Sequence, residues 1–187
     1  MATIKQVKRR QNIQMAEGYL DLALVLEDEF SLDLSHKTAL ADRALACLDN
    51  IKNPLGHKPY VLFLKGQAAR AADRLPDAIK YLKQSLRLDP DNVHTYLALA
   101  WCYKRIGRVD QAIDAVSQAV ELNSDSAIAQ YNLACYFAIN RQVELAIMHL
   151  SFALDLNSKY RELIATESDF DSIRENPGFV SLTSVTV

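Results

Sequence analysis

The residue types that most often carry chemistry are scattered along this sequence rather than grouped. Three cysteines and four histidines occur, at Cys47, Cys102, Cys135, His36, His57, His94 and His149. None belongs to a Cys-x-x-Cys or His-Glu-x-x-His motif, and there is neither a glycine-rich phosphate loop nor a nucleophile elbow. We therefore predict that the protein is not an enzyme and has no catalytic, cofactor-binding or metal site. The cysteines are interpreted as reduced thiols that fill helical faces in a cytoplasmic protein.

Two charged stretches allow a functional as well as a structural interpretation. Asp169-Phe-Asp171 is the nearest approach to a calcium loop, but it lacks the central glycine and terminal glutamate that such a loop requires. We interpret it as helix capping and a solvated face. The other stretch is a basic cluster without interleaved acids: Lys5, Lys8, Arg9 and Arg10. The cluster could contact an acidic surface or nucleic acid, or could simply be solvated.

The bulk composition is that of a soluble globular protein. The chain has 187 residues, half of them apolar and 24% charged, with a net charge of −2. So small a net charge gives no reason to expect a nucleic-acid partner. Glycine and proline, five of each, are scarce, which favours helices over a turn-rich β fold. No apolar stretch approaches the roughly 20 residues that would span a bilayer.

One thirteen-residue pattern occurs three times at a constant spacing. AIKYLKQSLRLDP begins at Ala78, AIDAVSQAVELNS at Ala112 and AIMHLSFALDLNS at Ala146, so the period is 34 residues. Each period contains two stretches whose apolar residues recur at intervals of three and four, as on one face of a helix. A single helical hairpin of this kind cannot bury its own apolar face, so the copies must stack to form a continuous core.

The turns between the predicted helices carry recognisable signals. Gly107 interrupts the middle period, and Asp110 follows it at the start of a second helix. Asp91 and Asn92 stand where an N-cap is expected, and Pro76 fits the opening turn of a helix. Small residues such as Ala100, Ala112 and Ala119 would allow two antiparallel helices to approach closely.

This pattern resembles the tetratricopeptide repeat (TPR), a family whose 34-residue unit has large, small and aromatic residues at fixed positions. The middle unit carries the motif residues Tyr96, Leu99, Ala100, Tyr103, Ala112, Val116 and Ala119. The last unit carries Leu133, Ala134, Phe137, Ala146, Leu150 and Ala153, and the first keeps Gly66, Ala78, Leu82 and Pro90. The resemblance covers residues 59–158 as units 59–92, 93–126 and 127–158. It implies an all-α fold, a right-handed superhelix of stacked antiparallel hairpins.

The flanks are expected to extend this solenoid. Residues 1–10 form the basic N-terminal segment, and residues 11–53 are predicted to add a divergent helical hairpin with a linker near 31–36. Residues 159–179 are predicted to form a C-terminal cap that covers the last apolar face. Their Asp-Phe-Asp, Ile-Arg and Pro-Gly-Phe elements resemble the ending of many bacterial TPR proteins, which suggests a bacterial chain complete at its C-terminus. Residues 180–187 are expected to be a frayed tail.

The resemblance also implies a binding surface on the first helix of each unit. The positions that line the family's concave groove are Tyr60, Phe63, Gln67, Arg70, His94, Leu97, Trp101, Lys104, Arg105, Tyr131, Asn132 and Cys135, with Ile128 and Ala138 beside them. Aromatic residues dominate the centre of this set and basic residues one edge. We therefore expect a scaffold or adaptor that binds an apolar or amphipathic segment of another protein. The alternatives are a chaperone dedicated to one client, a homo-oligomeric scaffold, or aromatics that pack against the chain's own N-terminal helices.

Overall fold

The fold was analysed in a computed structural model, which describes residues 3–24, 32–52 and 54–184. All regular structure in these ranges is helical. The helices are α1 (Ile4–Leu24), α2 (Leu34–Asp49), α3 (Lys58–Ala71), α4 (Leu75–Leu86), α5 (Val93–Arg105), α6 (Val109–Leu122), α7 (Ala127–Ile139), α8 (Val143–Leu156), α9 (Tyr160–Ile164) and α10 (Pro177–Thr183). Two 3₁₀ segments, Leu55–His57 and Ser168–Ile173, complete the list.

The chain divides into two compact units, and the boundary between them falls inside α5, after Cys102. In the first unit α1 pairs with α2, and α3 pairs with α4. A shared core joins α1, α2 and α3, in which buried leucines such as Leu20, Leu48 and Leu64 lie among alanines. Two ion pairs connect α2 to the second hairpin, Lys65 to Asp49 and Arg74 to Asp42.

The second unit is built around α7, which is buried along almost its whole length. It packs against α6, α8 and the 3₁₀ segment Ser168–Ile173. Phe170 in that segment is completely buried, and Ser172 donates a hydrogen bond to the Ala138 carbonyl oxygen over 2.9 Å. The predicted cap therefore does cover an apolar face of the last hairpin.

The turns between paired helices share one backbone geometry, which recurs every 34 residues. Asp73, Gly107 and Arg141 stand 34 residues apart, and all three have a positive φ, of 55°, 74° and 59°. The residue after each donates its N–H to a carbonyl five positions back, which closes the end of the preceding helix. Only Gly107 adopts this left-handed conformation without steric cost, so only there does the sequence signal the turn strongly.

Several local predictions are confirmed and others are modified. Asn92 caps α5 by accepting a hydrogen bond from the Thr95 N–H over 2.9 Å, and Pro76 lies in the first turn of α4. The first helix begins at Ile4, earlier than the predicted start at residue 11, so the basic cluster belongs to α1. Val180 belongs to α10 rather than to a frayed tail, while residues 185–187 and part of the predicted linker lie outside the described residues.

Asp33 caps α2. Its carboxylate accepts hydrogen bonds from the His36 N–H and from the Ser35 hydroxyl, and these bonds hold the pKa of Asp33 well below its usual range. None of the helices in the described ranges is long and apolar enough to cross a membrane.

Gly66 tests how closely the helices of one hairpin must approach. A Cβ atom at this position would lie 2.6 Å from Cδ2 of the fully buried Leu82 on α4. We expect Gly66→Ala to lower the free energy of unfolding by about 1–3 kcal/mol, because overpacking outweighs the better helix propensity of alanine. Gly18 in α1 is the matched control, since a Cβ there meets nothing within 4 Å. Gly18→Ala should stabilise by up to about 1 kcal/mol.

Urea unfolding of the two variants beside the wild type measures both effects. A Gly66→Ala protein as stable as the wild type would show that α3 and α4 are not held in close contact.

Candidate protein-interaction surface

Four apolar side chains of the first unit form the centre of the candidate site. We define this aromatic face by Tyr60 and Phe63 on α3 and by Leu97 and Trp101 on α5. The rings of Tyr60 and Phe63 stack with centroids 6.1 Å apart, and Tyr60 is 39% exposed. Phe63, Leu97 and Trp101 are half-buried. These side chains therefore keep apolar surface in contact with solvent although they belong to a packed structure.

Arg70 fixes the position of the tryptophan. Its guanidinium carbon lies 5.0 Å from the centre of the Trp101 ring, within the range of a cation–π contact. Arg70 stands on α3 and Trp101 on α5, so the contact joins the first helices of two neighbouring repeats.

Burial raises the pKa of the nearby Cys102 thiol to about 11, which keeps this cysteine in the neutral form. His94, at the start of α5, is exposed.

Gln67 leaves a hydrogen-bond acceptor unused beside the aromatic face. Its Oε1 atom is buried and accepts no hydrogen bond from the described residues. Gln67 lies four residues after Phe63 and three before Arg70, so the three side chains share one side of α3. A buried acceptor without a donor costs roughly 1–3 kcal/mol.

Tyr60 is held in place by the first helix. Its hydroxyl donates a hydrogen bond to a Glu17 carboxylate oxygen over 2.6 Å. Burial and this hydrogen bond raise the pKa of Tyr60 to about 12. The ring is thus neutral at physiological pH and is fixed with one face open.

In the last repeat, the predicted groove residues of α7 are more buried than those of α3 in the first repeat. Tyr131 is only 5% exposed and Cys135 2% exposed, while Asn132 is half-buried and the neighbouring Ile128 is exposed. The Tyr131 ring stacks on Tyr160 at 4.7 Å and meets the edge of Phe170 at 5.8 Å. The chain's own C-terminal segment thus covers this part of α7, whereas the self-packing alternative expected the aromatic residues to lie against the N-terminal helices.

Part of the predicted basic edge of the groove already forms an ion pair within the chain. Lys104 pairs with Asp169, whose side chain is 9% exposed, so the interpretation of Asp169 as part of a solvated face is wrong. Asp171 does remain exposed, and it pairs with Arg174 over 2.7 Å. Arg105, at the end of α5, is exposed.

A cluster of potential metal ligands accompanies this ion pair. The Cys135 sulfur and carboxylate oxygens of Glu167 and Asp169 lie within 4.8 Å of one another. Burial raises the pKa of the Cys135 thiol, and the neighbouring Asp169 and Glu167 carboxylates raise it further. The Lys104 ammonium already balances the Asp169 charge. We therefore describe the group as a buried ion pair beside a protonated thiol.

Residues of α1 extend the candidate surface beyond the predicted set. A cleft of about 820 Å³ lies between α1 and the start of α3, and Tyr60 forms part of its wall. Among the other residues that line it are Gln6, Arg10, Gln14, Glu17 and His57. The repeat register did not reveal these positions, because the first hairpin departs from the 34-residue period. Only the basic cluster gave a sequence signal at this place.

Comparisons with known proteins agree with this architecture. A family model described as tetratricopeptide repeat matches residues 69–134. The fold matches solved structures of MamA: one titled "Crystal structure of MamA" has a TM-score of 0.60 at 16% identity, over 87% of this chain and 99% of that chain. "MamA 41-end from Desulfovibrio magneticus RS-1" gives 0.61 at 18% identity, over 90% and 93%. No curated protein matches the sequence. The predicted fold class, an all-α TPR solenoid, is confirmed.

Substitutions of Tyr131 test whether the part of α7 beneath the C-terminal segment stabilises the fold rather than binding a partner. Its buried hydroxyl has no well-directed hydrogen-bond partner among the described residues, and the adjacent thiol is a weak acceptor. We expect Tyr131→Phe to leave the free energy of unfolding unchanged or to raise it by up to about 1 kcal/mol. Tyr131→Ala should lower it by about 3–5 kcal/mol, because the ring fills the space against Tyr160 and Phe170.

Thermal and urea unfolding of both variants give the comparison. A loss of more than about 1 kcal/mol in Tyr131→Phe would contradict this assignment, because the hydroxyl would then be making a stabilising bond.

Proposed function

We propose that this chain, whose fold is that of the tetratricopeptide repeat, is a non-enzymatic scaffold that binds a segment of another protein on the aromatic face. Fold alone does not define a function, so the proposal rests on the chemistry of this surface. The observation that carries it is the set of partly exposed rings, Tyr60, Phe63 and Trp101. Apolar side chains of a partner would cover these rings.

The rings are suited to recognition because they are held before any partner arrives. Tyr60 is fixed by Glu17, and Trp101 lies against the guanidinium of Arg70. A preorganised surface loses little conformational entropy on binding, so more of the contact energy appears as affinity. Tryptophan, tyrosine and arginine are also the residues that most often dominate the free energy of protein interfaces.

The proposed surface does not include Tyr131 or Cys135. Both are buried beneath the chain's own C-terminal segment. The segment that binds is expected to be short and apolar or amphipathic, since the four side chains of the aromatic face span two repeats only. A chaperone dedicated to one client would use the same face, and it would differ in keeping that client from aggregating at equal molar ratio.

Trp101 is the residue whose replacement tests this proposal. A random peptide library displayed on phage is selected against the full chain, and the peptides recovered are synthesised. We expect Trp101→Ala to weaken their affinity by about 30-fold or more, which corresponds to a loss of at least about 2 kcal/mol at an interface centre. Calorimetry measures the affinity, and circular dichroism checks that the variant remains helical.

Phe152→Ala is the matched control, because Phe152 is an aromatic residue of α8 that is 46% exposed and belongs to the second compact unit, whereas the aromatic face belongs to the first. It should bind the peptides as the wild type does. Equal affinity of the wild type and Trp101→Ala would rule out the aromatic face as the binding surface. Concentration-dependent light scattering of the same proteins distinguishes a partner-binding face from one that joins two copies of the chain.

A further inference from the structure

The first helix adds positive charge to one end of the aromatic face. The cleft between α1 and α3 shares Tyr60 with that face and contains Arg9 and Arg10. A smaller cleft of about 490 Å³ on another side of α1 contains Lys5, Lys8 and Lys52 together with Arg9. Among the described residues, Glu17 is the single acidic residue that lines either cleft, and its carboxylate already accepts a hydrogen bond from the Tyr60 hydroxyl.

Folding of the described chain gives no reason for these charges. Lys5, Lys8 and Arg9 stand three and four residues apart, where like charges repel and destabilise a helix by a few tenths of a kcal/mol per pair. They also lie near the N-terminus of α1, where the helix dipole disfavours cations. Within the described ranges none of Lys5, Lys8, Arg9 and Arg10 forms an ion pair. A negatively charged partner would relieve both unfavourable terms.

We propose that the segment bound on the aromatic face carries a cluster of aspartate or glutamate residues at the end that lies against α1. This inference rests on the function proposed above and specifies its partner: an apolar stretch followed or preceded by acidic side chains. The apolar part covers Tyr60 and Trp101, and the acidic part enters the cleft beside Arg9 and Arg10. The amide groups of Gln6 and Gln14 in the same cleft can bond to the peptide main chain.

A peptide suits this site better than the other polyanions that cells contain. The site is a cleft between two helices and is continuous with an apolar face, whereas a lipid surface or a DNA duplex presents charge without apolar side chains. The whole chain carries a net charge of −2, which opposes association with an extended polyanion. A short acidic cluster meets only the local positive potential of α1.

The peptide selection described above also tests this inference. Against the wild-type chain we expect the selected peptides to be enriched in Asp and Glu at one end. A synthetic peptide of that kind should bind about 3- to 10-fold more weakly to Arg9→Ala/Arg10→Ala, because each exposed ion pair contributes modestly. Replacing its acidic residues by Asn and Gln should weaken binding by a similar factor. Added salt should reduce the affinity of the acidic peptide but not of the Asn/Gln peptide.

The matched control is Lys80→Ala/Arg87→Ala, which removes the same charge from exposed positions on α4 and at its C-cap, outside both clefts. This variant should bind the acidic peptide as the wild type does, and circular dichroism confirms that both double variants are helical. Peptides selected without acidic residues, or equal affinity for Arg9→Ala/Arg10→Ala, would overturn this inference and leave the aromatic face intact. Recovery of no peptide at all would overturn the proposed function as well.

A direct comparison with other polyanions completes the test. Phosphatidylserine vesicles and a 20-base-pair DNA duplex are titrated with the wild type and with Arg9→Ala/Arg10→Ala. Binding of either probe that is tighter than that of the acidic peptide, and that is lost in the double variant, would assign the cleft to that class and overturn the peptide assignment.

Discussion

Close approach of two helix backbones is the constraint on which the rest of this structure depends. In the first unit Leu82 occupies the space where any side chain at position 66 would lie. The same repeat position is completely buried in the following copies, at Val116 and Leu150. Because the helices of one hairpin approach this closely at position 66, no large side chain has room there. Leu64 of the same helix is buried in the core, while Tyr60 and Phe63 keep part of their surface in contact with solvent and form the aromatic face.

The sequence predicts the repeated part of the fold well because each of its signals is local. Apolar periodicity, Gly107 and Pro76 act within a few residues, so one sequence is enough to place most helices. The positive φ is only weakly signalled at Asp73, because aspartate adopts that conformation occasionally, and it is not signalled at Arg141. Those turns are imposed by the packing of the helices on either side, and the period points to them.

The candidate site is predictable only in part, because its exposure depends on contacts between distant residues. The repeat register places Phe63 and Trp101 on one face, but register cannot show that Tyr131 lies under Phe170, which is 39 positions later. The contribution of α1 is missed for the same reason, since Tyr60 and Glu17 are 43 residues apart. Whether a basic residue is paired also depends on distant contacts. Lys104 is neutralised by Asp169 within its unit, whereas Arg9 and Arg10 form no ion pair within the described residues.

The C-terminal segment restricts where further repeats could be added to this protein. In a stack of repeats, each new copy must dock on an apolar face that the previous copy leaves open. Here Tyr160 and Phe170 already occupy that face of α7, and Ser172 is bonded to the Ala138 carbonyl oxygen. A duplicated 34-residue module placed after this segment would find that surface taken. Growth by duplication must therefore take place before the segment, which would then close whichever hairpin comes last.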